Sequence, residues 1–146
     1  EKISKQKIIL NIFGELDKKK VNAKNINIIG KVKNENHLKL IYSASDILLN
    51  PSRIESFGQI ALEGMSCGLP IICNNDTGTK ELILDTNIGF ALENNDFNDY
   101  QKILDWINTI KDTNRSQLHE LIKQKYSYEI VGSMYEKNIF SNYLKF

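Results

Sequence analysis

Two carboxylates stand where they could hold a ligand rich in hydroxyls and phosphate. Glu55 and Glu63 bracket Phe57-Gly58 inside Asn50-Pro51-Ser52-Arg53-Ile54-Glu55-Ser56-Phe57-Gly58-Gln59-Ile60-Ala61-Leu62-Glu63-Gly64-Met65-Ser66-Cys67-Gly68-Leu69-Pro70. The first backbone N–H groups of a helix lack partners within it and attract an anion. A carboxylate accepts two hydroxyl hydrogen bonds, which is what a vicinal diol such as a ribose offers. The residues predict a helix from about Phe57 to Cys67, stopped by Gly68-Leu69-Pro70. Glu63 then lies about five residues in, ~7 Å from the helix start. Each feature has a plainer reading on its own. Glu63 would be a solvent-facing helix residue, Glu55 a carboxylate favoured by the helix dipole, and Gly58 loop geometry. Taken together they favour a site.

The elements that must position these groups are short strands alternating with helices. Lys7–Ile12 reads as a strand buried on both faces, followed by a turn at Phe13-Gly14. Ile26–Ile29, Asp46–Leu49, Pro70–Cys73 and Ile88–Leu92 read as the next four strands. Glu15–Lys24 suits a short helix or loop. Asn36–Ser45 suits a helix capped by Asn34 or Asn36. Ala61, Gly64 and Gly68 give the site helix one face of minimal side chains. A mid-helix Gly costs ~1 kcal/mol against Ala, so Gly64 is expected where the helix packs closely on a sheet.

Lys80–Leu84 suits a short helix. A long helix capped by Asp96, Asn98 or Asp99 carries an apolar stripe of Tyr100, Ile103, Leu104, Ile107 and Ile110, with Trp106 off its centre. Two more helical stretches follow, about 116–124 and 127–143. The alternation predicts an α/β fold, a Rossmann-like parallel sheet flanked by helices. Ligands in such sheets bind beyond the carboxyl ends of the strands. Three strand exits are therefore expected on one rim: Gly30-Lys31-Val32-Lys33, Pro51 to Glu55, and Asn74 to Thr79.

The 146 residues, 41% hydrophobic and 25% charged, suit one globular domain. A net charge of +1 gives no footprint for nucleic acid. Cys67 and Cys73 lack the paired spacing of a zinc site or a disulfide scaffold, and read as buried free thiols of a reducing compartment. No apolar run reaches the ~18–20 residues needed to span a bilayer. His37 and His119 have no constellation around them. Lys18-Lys19-Lys20 and Lys123 to Lys125 read as solvated surface. The chain opens at Glu1 in polar sequence and reads as a piece of a longer protein.

The opening stretch resembles the signature of the retaining GT-B glycosyltransferases, glycosyltransferase family 4 in particular. That signature runs Pro-Ser, Glu-x-Phe-Gly, Glu-Ala-Met-Ala-x-Gly-x-Pro-Val. Here it is matched by Pro51-Ser52, Glu55-Ser56-Phe57-Gly58 and Glu63-Gly64-Met65-Ser66-Cys67-Gly68-Leu69-Pro70-Ile71, with Gly64 in place of the common Ala. Ile28-Ile29-Gly30-Lys31-Val32, Tyr42-Ser43-Ala44-Ser45-Asp46, Glu81-Leu82-Ile83 and Ile88-Gly89-Phe90 resemble further elements of the pattern, in order.

The resemblance implies that residues 1–146 are a single donor-binding domain, the C-terminal half of a GT-B fold. The first strand and the N-terminal acceptor domain would lie outside it. Glu63 would hold the ribose of a nucleotide sugar, a UDP-sugar in the first instance. Glu55, the candidate catalytic residue, would lie by the hydroxyls of the transferred sugar. Ser56, Phe57, Gly58, Gln59 and Ile60 would approach sugar and diphosphate, Val32 and Lys33 would face the base, and Arg53 and Lys33 are candidate phosphate contacts. Thr77-Gly78-Thr79 matches the phosphate side only loosely.

No metal or other cofactor is implied, since GT-B enzymes resemble one another in working without a bound divalent ion. The Arg and Lys that the family sets against the diphosphate are absent from this sequence. Such cations stabilise the leaving group, so the fragment alone is expected to be inactive. The implied reaction is retaining transfer to an acceptor hydroxyl, in bacterial O-antigen or capsule synthesis. The acceptor would be a glycan or lipid-linked glycan held by the missing domain. The expected location is the cytoplasm, with peripheral association at the inner membrane as an open option. A nucleotide-sugar epimerase and a non-catalytic nucleotide-binding module remain alternatives.

Overall fold

The computed structural model describes residues 8–15, 23–83, 88–93, 100–110 and 114–140. The chain groups into two compact units, Glu1–Ile41 and Tyr42–Phe146, with a parallel sheet in each.

In the first unit β1 (Leu10–Phe13) pairs in parallel with β2 (Ile26–Gly30), Leu10 opposite Ile26 and Ile12 opposite Ile28. Asn27 donates to Asn11 on the neighbouring strand at 3.1 Å. Burial departs from expectation here. Ile8, Ile9 and Leu10 are 57%, 49% and 38% exposed, and Ile12 and Phe13 are half-buried. Two strands form too narrow a ribbon to enclose apolar side chains on both faces. Helix α1 (Glu35–Ser43) starts where Asn34, not Asn36, accepts from the His37 N–H at 3.2 Å. The expectation for Glu15–Lys24 lies largely outside the described residues.

The second unit holds β3 (Leu48–Asn50), β4 (Ile71–Asn74) and β5 (Gly89–Leu92) in that spatial order, all parallel. β4 is central and buried along its whole length. Helix α2 (Gln59–Ser66) links β3 to β4 as a βαβ crossover. Leu48 stands opposite Ile71 in the ladder, so both project from one face of the sheet. Gly64 of α2 lies over that face. A Cβ added there would meet the Leu48 side chain at 2.6 Å, the close packing its position suggested. Gly68 ends the helix with φ +79°, and the Leu69 N–H returns to the Gly64 carbonyl at 3.1 Å. Cys73 is buried, while Cys67, at this helix end, is only half-buried.

Ile72 projects to the opposite face and meets α3 (Tyr100–Thr109). Its cluster is Ile72, Leu92, Trp106 and Ile110, flanked by Ile47, Phe90, Ile103 and Ile107. Trp106 is thus a core residue stacked on Phe90 at 5.7 Å, and Tyr100 is the member of the expected stripe left 68% exposed. Where a helix over Lys80–Leu84 was expected, a 3-10 turn spans Gly78–Leu82, and Leu84 lies outside the described residues. Helices α4 (Arg115–Tyr126) and α5 (Tyr128–Tyr135) are capped by Asn114 and Ser127, and a π-helical turn, Glu136–Phe140, follows.

Candidate functional site

The exits of β3 and β4 are knitted into one structure. Asn74 is the junction. Its amide nitrogen donates to the Pro51 carbonyl at 3.2 Å and to the Ser52 carbonyl at 2.6 Å. Its own carbonyl accepts from the Thr77 hydroxyl at 2.9 Å. Asn50 accepts from the Ser52 N–H at 3.3 Å and reaches the Thr79 hydroxyl at 3.5 Å. The Gly78 N–H donates to the Glu55 carbonyl at 2.8 Å. Any side chain on Gly78 would run into the Ser56 carbonyl.

These bonds fix the backbone from Pro51 to Gly58 against the turn after β4. The resemblance matches Thr77-Gly78-Thr79 to the phosphate side only loosely. In the structure these residues support the loop that carries Glu55. Edge-to-face contact of Phe57 with Tyr126, ring centroids 5.8 Å apart, holds the loop from the α4 side.

Helix α2 starts at Gln59, two residues later than expected, because Gly58 turns left-handed (φ +87°) and serves as the N-cap with no side-chain cap. Leu62 closes the first helical bond, to the Gly58 carbonyl at 3.0 Å. Among the described residues the N–H groups of Gln59 and Ile60 have no acceptor. Unpaired amides at a helix start suit a negative group.

Glu55 is half-buried, whereas Ser56, Gln59, Ile60 and Arg53 are exposed and Phe57 is 39% exposed. Glu63 lies on an exposed part of α2, the plainer of its two sequence readings, yet it has a fixed partner. The Tyr42 hydroxyl donates to its Oε2 at 3.1 Å. Burial, followed by the Glu63 charge, pushes the Tyr42 phenol well above its ordinary range, so this hydroxyl remains a donor. Val32, half-buried, and Lys33, exposed, belong to the first unit, and Lys31 beside them pairs with Glu15 at 2.6 Å. Within the second unit the structure brings together the exits of β3 and β4.

Sequence reasoning named Tyr42 only as part of a motif and did not give Asn50 or Asn74 a role. Polar residues at the last positions of buried strands were the available signal for the two Asn. The two His are exposed, and His119 contacts the Ser66 carbonyl at 2.6 Å at the end of α2. Among the described residues no cluster of His, Cys, Asp or Glu suits a metal ion, and no helix is long and apolar enough to cross a membrane.

The chain thus sets a strand–loop–helix, with uncapped amides at the helix start, on a parallel sheet. The family model for glycosyl transferases group 1 matches residues 1–128, and the chain belongs to that family. It is 36% identical over 90 residues to an uncharacterized glycosyltransferase of Methanocaldococcus jannaschii, a match covering 61% of this chain and 25% of that protein. It is 38% identical over 63 residues to the O-antigen chain mannosyltransferase B of Escherichia coli, covering 43% of this chain and 16% of that one. The chain thus spans about a quarter of the length of the first of these relatives. The crystal structure of Anabaena HepE in complex with UDP superposes with a TM-score of 0.70 over 92% of this chain and 41% of that one, at 19% identity. That likeness establishes the fold.

Proposed function

We propose that this chain is the donor-binding half of a retaining, family 4 glycosyltransferase that uses a UDP-sugar. The carrying observation is that Glu55 on the Asn74-clamped exit loop is followed directly by the uncapped start of α2 and then, within α2, by the Tyr42-held Glu63. Glu63 accepts from the ribose hydroxyls, and the Gln59 and Ile60 amides meet the diphosphate. Glu55, half-buried on the Asn74-clamped loop, orders the hydroxyls of the transferred sugar. Ser56, Phe57 and Gly58 line the passage between them, with Arg53 as a further phosphate contact.

In the transfer, the bond from the anomeric carbon to the β-phosphate oxygen breaks and a bond to the acceptor oxygen forms. The nucleoside diphosphate leaves with the bonding electrons, and the acceptor proton is released. No divalent metal takes part. The diphosphate cations and the acceptor wall come from the remainder of the full-length protein, so residues 1–146 alone do not turn over. UDP bound by HepE and the O-antigen role of the mannosyltransferase support a uridine donor and bacterial surface polysaccharide as the product. The enzyme then works in the cytoplasm, at the inner membrane where its acceptor is lipid-linked.

Titrating UDP-, GDP- and ADP-sugars against the full-length protein tests this reading. UDP-sugars are expected to bind tightest, and Glu63→Ala to weaken them at least about tenfold, as loss of charge-assisted hydrogen bonds does. Unchanged affinity in Glu63→Ala would remove Glu63 from the site.

A further inference from the structure

The bond between Tyr42 and Glu63 joins a buried donor to an exposed acceptor. Tyr42 is 2% exposed, and its carbonyl accepts from the Ser45 N–H at 3.1 Å and from Arg115 Nη2 at 3.4 Å. A buried ring with a pinned backbone holds its hydroxyl in one place. Glu63, by contrast, sits on the exposed surface of α2, where its side chain would sample many rotamers. Among the described residues the Tyr42 hydroxyl anchors its carboxylate at Oε2. A carboxylate has about four lone-pair positions. One hydrogen bond at Oε2 leaves Oε1 and the rest of Oε2 to accept from a ligand.

We infer that Tyr42 is a positioning residue, which pre-orders Glu63 to accept a vicinal diol and so sets the preference of the nucleotide site for ribose. The inference rests on the reading of Glu63 as the ribose-binding group. Pre-ordering matters because side-chain freedom lost on binding subtracts from affinity. Tyr42 touches no ligand in this account and acts only through Glu63. A purely structural Tyr42 would matter equally for every nucleotide. A positioning Tyr42 matters only where the diol is present.

Tyr42→Phe in the full-length protein tests this. It keeps the buried ring and removes one hydroxyl whose partner is open to water, so the variant retains its fold. Calorimetric titration is run with whichever of UDP, GDP and ADP binds tightest, and with its 2′,3′-dideoxy counterpart. Tyr42→Phe is expected to weaken the ribonucleotide about 3–10-fold and leave the dideoxynucleotide unchanged. It should cost nothing further in a Glu63→Ala background. Equal weakening of both nucleotides, or of neither, overturns the positioning role. If Glu63→Ala alone leaves the ribonucleotide unaffected, the reading of Glu63 fails first, and that result is distinct from a failure of Tyr42.

Discussion

Gly58 and Thr79 interlock across the exit loop. A Cβ added to Gly58 would stand 2.5 Å from the Thr79 hydroxyl oxygen, and the Gly58 backbone already has φ +87°. Gly58→Ala therefore meets two penalties, a left-handed backbone for a residue with a Cβ and overpacking against a buried side chain. Their sum is about 2–4 kcal/mol. Denaturant unfolding should show that loss. Thr79→Ala in the same chain should restore the packing part and leave the backbone part, so the double variant is less destabilised than the two single effects added. Strict additivity would mean that the two residues do not share space.

Asn74 clamps the loop through its donor side alone. Both bonds of its amide nitrogen run to carbonyls, at Pro51 and Ser52, and these fix the orientation of the amide. Asn74→Asp would turn a carboxylate oxygen toward two carbonyl oxygens in a position only 1% exposed. Asn74→Ala should cost about 1–3 kcal/mol for the two orphaned carbonyls, and Asn74→Asp more, because a buried charge then lacks a partner. A melting temperature for Asn74→Asp equal to or above that of Asn74→Ala would contradict the assigned orientation.

Much of this arrangement was legible in the residues, for identifiable reasons. Gly64 and Gly68 stood out because glycine inside a helix or at its end has few uses other than close approach and a left-handed turn, and each is found in that use. Strands β3 to β5 were legible because buried parallel strands read as short apolar runs. The support of the site was less legible. Asn74 and Thr79 are polar residues that meet a loop more than twenty positions earlier, and Asn50 at the end of β3 meets Thr79 far along the chain, pairings that periodicity cannot register. For the same reason the exposed faces of β1 went unforeseen, since apolar residues report what they favour and not whether a covering layer is present.

Trp106 shows how a helical stripe can mislead. Placed off the centre of the stripe by spacing, it is 7% exposed and stacked on Phe90, because a large ring reaches the core from the flank of the helix. Trp106→Ala should cost about 3–5 kcal/mol. As the protein's sole Trp, it also reports on folding by itself. Its emission should move to the red in one step with loss of the sheet's circular dichroism, and Phe90→Ala should shift the native emission. A native spectrum already matching that of the unfolded chain would exclude the buried position.

Tyr42 makes the stability of the fold depend on alkaline pH, with a definite sign. Its folded-state pKa is raised above the unfolded value of about 10, first by burial and then by the Glu63 charge. Above that unfolded value the native state keeps a proton that the unfolded state releases. The free energy of unfolding must therefore fall as pH rises, by at most about 1.4 kcal/mol per unit from this group. The stabilisation is complete below about pH 10 and is lost as pH climbs toward the folded-state pKa. Unfolding free energies at pH 8 to 11, compared between the unmodified protein and Tyr42→Phe, isolate this contribution from the titration of the lysines. The two profiles should run parallel up to about pH 10, with the unmodified protein falling more steeply beyond. The tyrosinate difference absorbance between the two proteins should likewise stay flat through pH 10. Identical alkaline slopes would mean that the Tyr42 hydroxyl is not held against Glu63, and would also remove the basis for its role in positioning that carboxylate.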